Sequence, residues 1–104
     1  MPATPPKSYQ KLKERYPEYM NAVESLGKAV KTEGPLDDKT AQLIQLAAAA
    51  TARAEGAVHS HTRRAVEAGA KVEEIYHAII LLTSTIGFPN VVAALSWVDD
   101  VIES

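Results

Sequence analysis

The sequence predicts an all-α fold of five to six helices, and three observations carry that prediction. Apolar residues recur at three- and four-residue spacing along most of the chain. No β-branched run alternates between turn residues in the way a half-buried strand would. The alanine run from Ala47 to Ala50 marks a helix that neighbouring helices can approach closely. With 104 residues and 46% apolar composition, the chain reads as a single domain over residues 1–104, opened by a proline-rich lead-in at residues 1–7.

Taken in order, a first helical region runs from Ser8 to Thr32 with an interruption at Pro17, because proline suits a first turn and disrupts an interior. Glu33-Gly34-Pro35 ends it. Asp37 is placed to cap a second helix from Asp38 to Arg53, its carboxylate accepting from first-turn amides, with Asp38 favoured at the same positive end. This helix is apolar on most sides and reads as the central one. Gln42, Gln45, Ala49 and Arg53 fall along one stripe, the polar line of an otherwise buried cylinder. Gly56 is expected to break or bend the path before a third helix from Ala57 that ends at Gly69, where glycine takes a left-handed conformation at little cost. A fourth helix spans Val72 to Ile86, with Glu73 and Glu74 in its first turn and an apolar face of Ile75, Ile79, Ile80, Leu82 and Ile86. Gly87-Phe88-Pro89 then turns the chain. In the last helix Val91, Leu95, Val98 and Ile102 recur at helical spacing.

Composition narrows the function classes. Zero cysteines removes disulfides, thiolate ligands and every mechanism needing a thiol nucleophile. A net charge of −2 with interspersed signs lacks the clustered basic footprint of nucleic-acid binding, and no basic recognition helix of a transcription module is present. No apolar run approaches the roughly 20 residues that span a bilayer. No secretory leader is recognised, and the cytoplasm is the expected location. A chain of this size buries roughly two thirds of its unfolded surface. With one Trp and one Phe its core must come from small aliphatic side chains, so self-association is a natural route to stability.

His59 and His61 lie two apart on a helix and so point about 160° away from each other. His61 shares a side with Ala54, Ala57, Val58, Ala65 and Ala68 and should face inward. It can be a buried histidine bonded to a backbone carbonyl, or, with an ordinary pKa of about 6.5, a group that exchanges protons beside a small alanine-lined cavity. Arg64 sits at the edge of that side, where a guanidinium could grip a carboxylate or stay solvated. His59 lies opposite with Glu55 and Arg63 and reads as a surface residue paired along the helix. His77 receives no role. A transition-metal site would need histidine and carboxylate ligands from separate helices, so no metal and no cofactor is expected.

From Asp38 to Ala94 the chain resembles the carboxymuconolactone decarboxylase and alkylhydroperoxidase D-like family. The matching pieces are Lys39-Thr40-Ala41-Gln42-Leu43-Ile44, His61-Thr62-Arg63-Arg64-Ala65, Glu67-Ala68-Gly69-Ala70, Val72-Glu73-Glu74-Ile75 and Gly87-Phe88-Pro89. The resemblance implies a helical protomer that assembles into a homo-trimer or homo-hexamer, with a small active site between packed helices near a subunit boundary. The family's peroxidase branch carries a Cys-x-x-Cys pair ahead of its motif histidine and a glutamate on the preceding helix. Here Ala54, Ala57 and Gln42 stand at those positions while His61 keeps the histidine, which disfavours thiol peroxidase activity and makes the chain more similar to the decarboxylase branch. The implied reaction is loss of carbon dioxide from a small anionic organic acid, a carboxylated lactone or keto acid. On that reading His61 transfers the proton, Arg64 (or else Arg63 or Arg53) binds a substrate carboxylate, and Gln42 donates to the lactone or enolate oxygen. The alternative is a catalytically inactive, oligomeric binding or scaffold member of the same fold.

Overall fold

The computed structural model describes residues 6–104, so most of the proline-rich lead-in, residues 1–5, lies outside the described residues. Every regular element among them is helical: six helices of nine residues or more and one four-residue turn. None is long and apolar enough to cross a membrane. The chain divides into two compact units, described here from residues 6–36 and 37–104.

The first unit is a helix pair, α1 (Lys7–Arg15) and α2 (Pro17–Thr32). The break expected at Pro17 is present: Tyr16 leaves the helical region at φ −133°, and Pro17 opens α2, where its missing N–H costs nothing. Across the pair, the Tyr9 hydroxyl donates to the Glu24 carboxylate and Lys13 Nζ lies 3.3 Å from it. The tyrosine hydrogen bond, followed by the lysine, holds Glu24 below the usual carboxylate range.

The second unit holds α3 (Asp38–Thr51), α4 (Glu55–Glu67), α5 (Val72–Ile80), the single turn α6 (Thr83–Ile86) and α7 (Phe88–Ile102). Asp37 caps α3 as expected, its Oδ1 accepting the Thr40 amide at 2.8 Å, and that bond lowers its pKa. Packing is most extensive between α3 and α4, then between α4 and α7. The core consists of Leu46, Ala49 and Ala50 from α3, Val58 and Ala65 from α4, Ile75 and Ile79 from α5, and Val91, Ala94 and Val98 from α7. Alanines at the α3–α4 contact let the two backbones approach closely, and this brings polar side chains on the facing helices within bonding distance. Thr62 is fully buried and satisfies its hydroxyl by donating to the Val58 carbonyl at 2.7 Å.

Three boundaries differ from the sequence expectation. Arg53 does not end the central helix: α3 stops at Thr51, and Arg53 adopts the left-handed conformation at φ 55°. The Arg53 amide donates to the Ala50 carbonyl and the Ala54 amide to that of Ala49, the paired bonds of a Schellman cap. Gly56 is not the break either, because α4 begins at Glu55 and includes it. The cap is set by the backbone and filled by an arginine, so the residue type gave no warning. The same motif closes α4 with the expected Gly69, at φ 95°, whose amide donates to Val66 while that of Ala70 donates to Ala65. The third difference is the helix expected over Val72–Ile86, which ends at Ile80 and resumes as α6. At the interruption the Leu82 amide bonds three residues back to Ile79, a tightening that needs neither glycine nor proline. Gly87, at φ 87°, then permits the turn into α7.

Candidate functional site

The α3–α4 corner places two of the sequence-selected residues together. Gln42, 4% exposed on α3, meets His61 of α4, with Gln42 Oε1 2.8 Å from His61 Nδ1. A carbonyl oxygen can only accept, so Nδ1 carries the proton and, in the neutral ring, Nε2 holds the lone pair. The pairing fixes the tautomer and the orientation of the imidazole, and it leaves the Gln42 amide nitrogen as the donating end of that side chain. His61 is half-buried on the side of α4 that carries the fully buried Val58 and Ala65. One turn along α3, Gln45 Oε1 is buried without a hydrogen-bond partner, an acceptor whose unmet bond costs about 1–3 kcal/mol.

The arginines separate. Arg64 follows His61 by three residues, a spacing that keeps both on neighbouring strips of α4, and its side chain is exposed. Arg63 falls on the strip of His59 instead. Arg53 lies past the end of α3 in the left-handed conformation, and its guanidinium donates to the Asn90 side chain on α7. Among the three candidate arginines, helical register leaves Arg64 nearest to the strip of α4 that carries His61.

His59 occupies the opposite strip of α4, as the two-residue offset requires. Its Nε2 lies 3.0 Å from Asp100 Oδ2 on α7 and 4.0 Å from Glu55 Oε2 one turn back. Sequence spacing flagged Glu55; Asp100, 41 residues away, required the packing of α4 on α7. Exposed His77 borders a groove of about 400 Å³ lined mainly by Leu43, Ile44, Ala47, Leu81 and Leu82. That groove lies on the side of α3 away from Gln42 and includes neither member of the pair. Glu74 at its edge accepts from the Lys71 amide at 2.9 Å and from Lys39 Nζ at 3.0 Å, which lowers its pKa.

A cysteine-free bundle in which the α3–α4 corner holds His61 against the buried Gln42 side chain defines the helical class of the protein. The chain belongs to the carboxymuconolactone decarboxylase family, whose pattern matches residues 17–100. The match begins at α2, further toward the N-terminus than the 38–94 core expected from sequence. The chain is 33% identical over 91 residues to the uncharacterized protein MJ1511 of Methanocaldococcus jannaschii, covering 88% of this chain and 85% of that one. It is 40% identical over 59 residues to an uncharacterized protein of Haemophilus influenzae, covering 57% of this chain and 52% of that relative. The fold is similar to the crystal structure of apo-lpg0406, a carboxymuconolactone decarboxylase family protein from Legionella pneumophila. The TM-score is 0.81 at 27% identity, over 92% of this chain and 86% of that one.

Proposed function

We propose that this protein removes carbon dioxide from, or carries out related proton transfer on, a small carboxylated lactone or keto acid, with His61 as the proton-transfer group. The observation that carries the reading is the 2.8 Å bond from His61 to Gln42. It holds the imidazole in the tautomer that leaves Nε2 to take or give the proton.

On this reading the bond from the ring carbon to the departing carboxylate breaks and its electron pair enters an enolate. Protonated His61 delivers its Nε2 proton to the carbanion carbon and is restored by solvent. The Gln42 amide nitrogen donates to the lactone or enolate oxygen, stabilising charge that grows in the transition state. Arg64 holds a second, retained carboxylate of the substrate, with Arg63 or Arg53 as the alternatives for that role. With no cysteine in the chain, the thiol chemistry of the peroxidase branch has no nucleophile. No metal or cofactor enters these steps, and the setting we expect is the cytoplasm.

We further infer a homo-trimer or homo-hexamer. Large apolar side chains are exposed on the second unit, among them Phe88 at 68%, Leu81 at 64% and Ile44 at 52%, which self-association would cover. Light scattering should give three or six times the 11.2 kDa chain mass, and a monodisperse monomer at micromolar concentration would contradict the inference.

The chemistry is tested by carbon dioxide release from 4-carboxymuconolactone and a panel of β-keto and lactone acids, comparing the parent with His61→Gln. Release that disappears in the variant supports the assignment; turnover that survives undiminished removes His61 from it. Silence toward every acid by a folded oligomer would favour the second reading, a binding or scaffold member. That reading draws on the replacement of the peroxidase-branch cysteines and glutamate by Ala54, Ala57 and Gln42.

A further inference from the structure

A second cluster of ligand-type side chains lies on the opposite strip of α4 from His61 and takes no part in the chemistry above. Glu55 and His59 sit one turn apart on α4, and Asp100 reaches them from α7. One donor atom from each, His59 Nε2, Glu55 Oε2 and Asp100 Oδ2, lie within 4.8 Å of one another. The imidazole directs the same nitrogen at both carboxylates, at 3.0 and 4.0 Å.

We propose that Glu55, His59 and Asp100 bind a first-row divalent transition-metal ion, with Zn²⁺ as its probe. Bonds of about 2.1 Å arranged tetrahedrally around one ion put the donor atoms about 3.4 Å apart, which falls between the two spacings observed. The two carboxylates that would close on the ion are exposed, at 58% and 56%, beside a more enclosed imidazole at 25%, so the side chains with room to adjust are the ones that would move. One neutral imidazole and two carboxylates offset a divalent charge. The nitrogen donor favours Zn²⁺ or Co²⁺ over Mg²⁺ and Ca²⁺, which prefer all-oxygen shells. Three protein donors leave the other positions to water. Because the ligands come from two helices, the ion would also tie α4 to α7 and stabilise the fold by mass action.

The chain has three histidines, so the test can be decisive. Tag-free protein is titrated with Zn²⁺ by calorimetry, and separately with Co²⁺ while its visible absorption is followed. The expected result is one ion per chain, a rise in Tm with Zn²⁺, and affinity lowered at least about tenfold by His59→Gln and by Asp100→Asn. His61→Gln and His77→Gln should leave affinity unchanged. No saturable binding overturns the proposal and reduces the cluster to a His–Asp ion pair between helices. So does binding that survives His59→Gln or is lost in His77→Gln. Should a variant fail to fold, paramagnetic broadening by Co²⁺ in the unaltered protein decides: amides around 55–60 and 98–102 support the site, and amides around 77 overturn it. None of these readouts depends on the decarboxylation reading.

Discussion

Replacing Arg53 by glycine and by alanine separates what the backbone needs at the α3–α4 corner from what the side chain contributes. Arg53 stands at φ 55°, between α3 and α4, with two amide bonds closing the Schellman cap. Both variants lose the guanidinium bond to Asn90, so that loss cancels in the comparison. Alanine keeps a Cβ in the left-handed conformation at a cost of about 1–2 kcal/mol. Glycine avoids that cost but gives up roughly 0.5–1 kcal/mol through the greater freedom of its unfolded chain. Arg53→Gly should therefore be the more stable of the two, by about 0.75 kcal/mol at the centre of these ranges. For a chain of this size that separates their Tm values by roughly 3–6 °C. The assay is thermal unfolding followed by circular dichroism, with both variants at the same protein concentration because association would shift Tm. An alanine variant equal to or more stable than the glycine variant would refute the claim that Arg53 is held in a conformation its Cβ resists. The consequence reaches the site, because this corner sets the register that brings His61 to Gln42.

Gln42→Leu removes the acceptor from His61 and should cost about 1 kcal/mol in urea unfolding, together with a loss of turnover on any confirmed substrate. An unchanged denaturation midpoint would show that the bond contributes nothing. Leu46, fully buried between α3 and its neighbours, should cost about 2–5 kcal/mol on truncation to alanine, measured by the same titration; a value under 1 kcal/mol would contradict its central position. Tyr76 donates to Asp99, and that bond, followed by desolvation, pushes its pKa up to about 12. The native state then holds the phenolic proton more tightly than the unfolded chain, so this stabilisation is complete below pH about 10 and is lost as pH rises toward 12. Tyr76→Phe should flatten the stability profile across that window, and an unaltered slope would count against the Tyr76–Asp99 bond.

Most local features were legible because local rules govern them. Asp37 as a cap, the break at Pro17 and the left-handed Gly69 each follow from a residue whose chemistry favours one backbone state. The opposite placement of His59 and His61 follows from helical period alone, and the structure gives each a different set of partners. Where expectation and structure part, no residue type announced the event. A left-handed arginine replaces the glycine such a cap usually carries, and the interruption before α6 is a tightening of hydrogen bonds with no breaker in it.

The order of amino acids alone specifies a helical, cysteine-free chain with His61 turned inward and the thiol branch of its family's chemistry closed to it. Periodicity and composition suffice for that, since they fix which face of each helix is apolar and which reactive groups exist. The contacts come from packing: Gln42 as the partner of His61, Arg53 bonded to Asn90, and Asp100 joined to His59 and Glu55. Those pairings depend on how α3, α4 and α7 pack, through many weak contacts among alanines and branched side chains that no single helix encodes.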